Sequence, residues 1–154
     1  MTFLNRVCSA LKESGVRYAL VGGYAVALHG AVRGTVDIDF VIAWNLKNLV
    51  RAQQALNGIG LVSRLPVTAS ELFQFRQEYI NNRNLIAWNF YNPADLSEQV
   101  DIVITFDLTG VRVKAVNTAA GPVMVLPIRA LVAMKRESGR PQDLADIEAL
   151  EKLL

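Results

Sequence analysis

The 154 residues are enough for one domain with a useful core, and a chain that is 52% hydrophobic and 19% charged is not generally disordered. A formal net charge of +2 is too mild to mark a nucleic-acid partner by itself. A single cysteine, Cys8, excludes an internal disulfide, and a single histidine, His29, excludes a zinc site of the usual Cys/His kind.

Phe3, Leu4, Val7, Cys8 and Leu11 recur at helical spacing, so the chain is expected to open with an amphipathic helix that Gly15 ends. Cys8 falls on its apolar stripe and reads as a buried thiol. Val16–Val21 reads as a short strand, which Gly22-Gly23 turns into a helix from about Tyr24 to His29, stopped by Gly30. Val36–Ile42 is a second strand, and Leu46, Leu49, Val50, Gln53 and Leu56 mark a helix ended by Asn57-Gly58. Leu61–Ser63 suits a short strand, and Ala69–Glu78 a helix capped by Thr68 or Ser70. Ile86, Trp88 and Phe90 alternate with Ala87 and Asn89, Val100–Phe106 is apolar, and the turn-rich 92–98 between them predicts a hairpin. Residues 107–120 carry no clear signal, and Val123–Leu126 suits one more strand. Pro127 suits the first residue of a helix to Glu137, Gly139-Arg140-Pro141 breaks it, and a last helix runs from about Gln142 to Leu154.

Strands and helices that mix irregularly predict one α/β or α+β domain over residues 1–154, with its core at about 16–106 and C-terminal helices at about 127–154. No apolar run approaches the roughly 20 residues of a membrane helix. Arg6, Lys12, Glu13 and Arg17 interrupt any signal-peptide pattern, so a cytoplasmic protein with no membrane partner is expected.

Asp37 and Asp39 lie two apart on a predicted strand and so share one face, while Val36, Ile38 and Phe40 face a core. Two carboxylates that close repel unless a cation sits between them, and an all-oxygen acidic site suits Mg2+ or Mn2+. The competing reading is a half-exposed strand with an acidic outer face. Gly22-Gly23 stands where a strand opens a helix, a position whose free N–H groups favour an anion, though an ordinary tight turn needs glycine too. Neither Gly-x-Gly-x-x-Gly nor Gly-x-x-x-x-Gly-Lys-Ser/Thr occurs, which argues against a Rossmann or P-loop protein. Asp101 sits within the apolar run Val100-Ile102-Val103-Ile104, where an acid is costly unless paired or bound to a cation. On a strand beside Asp37 and Asp39 it completes a three-carboxylate metal site; at a strand edge it is a surface residue. Ile128, Leu131, Val132 and Lys135 share a helix face, so Lys135 either snorkels outward or meets an anion. Asp143 falls in the first turn of the last helix, where any acid is favoured, and Asp143 and Asp146 are alternatively there to hold Arg140 or Lys135. Arg33 suits a phosphate or a surface salt bridge. Trp44 and Trp88 read as core aromatics and His29 as structural.

Taken together, Gly22-Gly23, then Arg33-Gly34-Thr35-Val36-Asp37-Ile38-Asp39, then Val100-Asp101-Ile102 resemble the nucleotidyltransferase superfamily, the fold of DNA polymerase beta, CCA-adding enzymes and aminoglycoside nucleotidyltransferases. The Arg-x-Thr-x-Asp-Ile-Asp string and the late segment 131–147 look most like AbiEii-type bacterial nucleotidyltransferases, toxins of toxin–antitoxin pairs among them. The resemblance spans residues 16 to about 150. The second glycine replaces the serine of many members, which removes a hydroxyl but leaves backbone contacts to phosphate.

The resemblance implies a mixed β-sheet packed by helices with a C-terminal helical pair. It implies metal-dependent transfer of a nucleoside monophosphate from a nucleoside triphosphate, ATP among the candidates, to a hydroxyl of RNA, protein or a small molecule. Asp37, Asp39 and Asp101 are then the catalytic, metal-holding residues, with Mg2+ or Mn2+. Gly22, Gly23, Arg33, Thr35 and Lys135 are the nucleotide grip, and Arg140, Asp143 and Asp146 support it. An antitoxin or toxin is the partner class implied. Two other readings stay open: a binding module that keeps the fold without turnover, and a structural protein that holds a divalent cation.

Overall fold

The computed structural model describes residues 2–30 and 37–154. Helix α1 (Phe3–Glu13) starts where Thr2 accepts the Asn5 N–H at 3.2 Å, buries Val7, Cys8 and Leu11, and ends before Gly15. Strand β1 (Tyr18–Val21) is buried along its length and runs straight into α2 (Gly22–Leu28), so the glycine pair lies inside the helix's first turn, two residues earlier than periodicity suggested. Gly22 turns the chain there at a φ of +68°, a left-handed conformation that favours glycine. His29 caps α2, and its Nε2 meets the Leu126 carbonyl at 2.8 Å, a structural role.

Strand β2 (Ile38–Ile42) leads to α3 (Leu46–Gly58), capped by Asn45, whose side chain accepts the Asn48 N–H at 2.8 Å. Val36 lies outside the described residues. Strand β3 (Val62–Ser63) is two residues long. The helix expected over 69–78 is two: α4 (Ala69–Gln74), with a Thr68–Glu71 capping box, and α5 (Arg76–Arg83), divided at Phe75. Strands β4 (Ala87–Asn92) and β5 (Asp95–Asp107) form the predicted hairpin, but the turn is confined to Pro93-Ala94 and β5 begins well before Val100. The unassigned stretch holds β6 (Lys114–Thr118), which pairs with β7 (Gly121–Val125). Pro127 is the cap of α6 (Ile128–Ser138), one place before the helix proper. Gly139 at φ +63° closes α6, and α7 (Pro141–Glu151) begins with Pro141 at its first turn, where the missing N–H costs nothing.

The strands make one seven-stranded mixed sheet in the order β3-β4-β5-β2-β1-β7-β6. Strand β1 is antiparallel to β2 and parallel to β7, and β2 is parallel to β5. One face of β4 and β5 carries Trp88, Phe90, Val100, Ile102 and Ile104, all essentially inaccessible, with the Trp88 and Phe90 rings 4.6 Å apart. The other face carries Tyr91, Asn89, Gln99 and Asp101, all half-buried. Trp88 is a core aromatic as expected, whereas Trp44 is half-buried against Phe73 at 6.5 Å between ring centres. Among the described residues no helix is long and apolar enough to cross a membrane.

Candidate active site

The end of β1 and the start of β2 fix the site. Val21 pairs with Asp39, so the residue after Val21 turns directly across the Asp39 carboxylate. That residue is Gly22. A Cβ there would stand 2.3 Å from Asp39 Oδ2 and 3.1 Å from its Cγ, inside any permitted contact. Glycine is thus required twice, for its positive φ and for the room it leaves beside Asp39. Among the described residues no side chain caps the helix that Gly22 and buried Gly23 open, and Val21 at its N-cap offers no side-chain acceptor to the leading N–H groups.

On the other side of β2 the parallel register sets Asp39 against Asp101 of β5. Burial first, then the charges of Asp101 and Asp37 and a hydrogen bond with Asp101, push Asp39 up to about 6, while Lys135 pulls it back. Asp37 stands exposed just before β2 and acts on Asp39 through its charge. The sequence leaves Asp101 either beside Asp37 and Asp39 or at a strand edge; the structure pairs it with Asp39 inside the sheet, with Asp37 just before β2. Among the described residues no three His, Cys, Asp or Glu side chains stand together as a preformed ion site. The donor chemistry nevertheless fits a hard divalent cation: the carboxylates supply oxygen only, and the cradle beside Asp39 is kept open by a glycine.

The C-terminal helices bring cations toward the same place. Lys135 is buried, its Nζ 3.0 Å from Asp146 Oδ2 and 3.6 Å from Asp143 Oδ1, so both aspartates hold it. Asp143 also accepts from Arg140 Nε at 2.8 Å and from the Arg140 backbone N–H at 3.1 Å. Burial alone would raise Asp143, yet the hydrogen bonds from Arg140 and Ser138 hold it down at about 2. Gln142 donates to Asp146 at 3.0 Å. The Arg140 side chain is 74% exposed and feels the charge of Asp39, so it is the more accessible of the two cations. Arg33 and Thr35 lie outside the described residues.

Sequence reasoning missed Asn89. Its Nδ2 donates to Asp101 Oδ1 at 2.9 Å, because the β4–β5 register sets the two side by side. A lone amide between Trp88 and Phe90 was the only signal.

No family profile and no curated protein sequence matches the chain. Solved structures do. The lincosamide antibiotic adenylyltransferase LnuA, lincomycin-bound, aligns over 99% of this chain and 96% of its own at 17% identity and a TM-score of 0.62. The fold is nucleotidyltransferase-like. An antigenic nucleotidyltransferase-like protein from Paracoccidioides brasiliensis shares this nucleotidyltransferase-like fold over 97% of this chain and 73% of its own, with 16% identity and a TM-score of 0.61. ANT(2")-Ia in complex with adenylyl-2"-tobramycin follows over 97% and 90%, with 11% identity and a TM-score of 0.60. At these identities the nucleotidyltransferase-like fold is what is shared.

Proposed function

We propose that the protein is a metal-dependent nucleotidyltransferase that moves a nucleoside monophosphate from a nucleoside triphosphate to an acceptor hydroxyl. The observation that carries this is the register that pairs Asp39 with Asp101 directly beside Gly22, whose missing Cβ leaves the Asp39 carboxylate open. Asp37, Asp39 and Asp101 would hold Mg2+ or Mn2+. Such ions, when bound, polarise the α-phosphate and neutralise the departing pyrophosphate. The remaining work belongs to the chain. The Gly22-Gly23 turn and exposed Arg140 bind the triphosphate, with Arg33 and Thr35 assigned to it by the resemblance alone. Lys135, held by Asp143 and Asp146, lends a fixed positive charge to Asp39's surroundings. Asp101 takes the acceptor's hydroxyl proton as the new oxygen–phosphorus bond forms and the bond to the β-phosphate breaks. Catalysis of this kind is mostly positioning and electrostatics.

The acceptor approaches over the half-buried face of β4 and β5, since that face continues from Asp101 past Asn89, Gln99 and Tyr91. A small-molecule acceptor has the support of the lincomycin-bound and adenylyl-tobramycin neighbours. RNA and protein acceptors, and a toxin–antitoxin partnership, rest on the AbiEii-like string from Arg33 to Asp39.

The test is incubation with each α-labelled triphosphate, Mg2+ or Mn2+, and separated small-molecule, RNA and protein fractions of a cell extract. Label transfer with pyrophosphate release, lost in Asp37→Asn and Asp39→Asn, is expected. Labelling that survives both substitutions contradicts the assignment, and triphosphate binding without pyrophosphate release in any fraction favours a module that binds nucleotide without turnover.

A further inference from the structure

We infer that Asn89 is a positioning residue for Asp101, and that Arg64 dictates which way the Asn89 amide points. The inference rests on the reading that Asp101 works at a metal-dependent centre. Three polar groups lie in a row across the sheet. Asn89 Nδ2 donates to Asp101 Oδ1 at 2.9 Å, and Arg64 Nε donates to Asn89 Oδ1 at 2.8 Å. The remaining contacts of Nδ2, to the Val100 carbonyl at 3.4 Å and Gln99 Oε1 at 3.5 Å, are long and secondary.

An asparagine amide can be turned over with little change in shape, and its two ends then exchange donor for acceptor. Turned over, Asn89 would set its oxygen against the Asp101 carboxylate, two acceptors face to face. Arginine has donors only, so Arg64 can donate to no end of Asn89 but the oxygen, and the NH2 end is left to donate to Asp101. Arg64 is itself fixed at two points. Its backbone N–H donates to the Asn89 carbonyl at 2.9 Å, and its guanidinium lies over the Tyr91 ring, 4.4 Å from the centroid.

The choice of an amide has a chemical reason. An arginine placed directly on Asp101 would neutralise the carboxylate and compete with a divalent cation for it. A neutral donor orients one oxygen and leaves the charge in place, with the second oxygen for the centre. The positive charge is kept one side chain back, on an exposed residue that makes no ion pair among the described residues. Outer groups that orient metal ligands in this way characteristically change metal affinity by about 10- to 100-fold when removed.

The test is Mn2+ binding, followed by electron paramagnetic resonance in the presence of a non-hydrolysable triphosphate, together with melting temperatures. Asn89→Ala is expected to weaken Mn2+ binding by about 10- to 100-fold. Arg64→Ala, a surface change that leaves Asn89 in place, is expected to weaken it by a smaller factor, and Arg64→Lys, which keeps a donor and no acceptor, to restore most of the loss. Because Arg64 acts through Asn89, adding Arg64→Ala to Asn89→Ala should cost nothing further. Wild-type affinity in Asn89→Ala, or losses that add in the double variant, would overturn the inference. If Asn89→Ala fails to fold, the Arg64→Ala and Arg64→Lys pair decides: equal Mn2+ affinity in the two overturns it. Equal Mn2+ binding by wild type and Asp39→Asn would instead remove the reading of the centre itself, and this inference with it.

Discussion

Two acidic clusters lie close together in this molecule and have opposite electrostatics. In the helical cluster Asp143 and Asp146 surround buried Lys135, with Arg140 completing it, and Asp143 is held down at about 2. In the sheet cluster Asp39 and Asp101 face each other without an ion pair among the described residues, and Asp39 is pushed up to about 6. The same residue type is held down by adjoining cations in one place and raised by burial and like charges in the other. Such a pair is relieved by holding a proton or by a cation, and the proposed function assigns the second role to Mg2+ or Mn2+.

The largest effect should come from breaking the self-neutralised cluster. Lys135→Met removes the buried cation that Asp143 and Asp146 share, and a loss of about 3–5 kcal/mol of stability is expected in denaturant unfolding. Asp39→Asn, in the other cluster, relieves repulsion. Its metal-free melting temperature should stay level or rise, while nucleotidyl transfer falls by at least about 100-fold. Gly22→Ala drives a Cβ into Asp39 and strains the backbone, so a stability loss of about 1–3 kcal/mol should accompany loss of triphosphate binding in calorimetry.

The clusters should also differ in pH dependence. Asp39 holds its proton more tightly in the folded than in the unfolded chain, so its contribution to stability falls as pH rises from about 4 to about 6. Asp143 is depressed, so its contribution is present above about 4 and is lost as pH falls through about 2. Melting curves against pH should show the Asp39 slope without metal and lose it in saturating Mg2+. The smallest effect belongs to Arg136, beside Lys135 in sequence but paired with Glu151 at 3.0 Å on the surface. Arg136→Ala should cost less than about 1 kcal/mol.

Much of this was legible in the sequence because it depends on local periodicity. The two-residue spacing of Asp37 and Asp39, the apolar run around Asp101 and the glycine pair identified the strands and the turn that make the sheet cluster. The Lys135 helix and the two aspartates after it could be seen as one group, including the alternative in which Asp143 and Asp146 hold the lysine. What stayed hidden was long-range register. A two-residue turn at Pro93-Ala94 continued without interruption would pair Asn89 with Glu98. The irregularity between Tyr91 and Asn92 shifts that partner to Asp101, and nothing in the local pattern announces it. The need for glycine at Gly22 was equally hidden, since its reason is a side chain on another strand. Residues 107–120 were unassigned for a related cause. Strand β6 is short, mostly exposed and defined by its partner β7, with little apolar alternation of its own.

Whether Asp39 and Asp101 hold the metal that a triphosphate needs is read most directly by calorimetry of triphosphate binding with and without Mg2+, on wild type, Asp39→Asn and Asp101→Asn. Binding to wild type should require Mg2+ and be lost in both variants, each still folded. Binding of equal strength in a metal chelator, or undiminished in Asp39→Asn, would contradict that role.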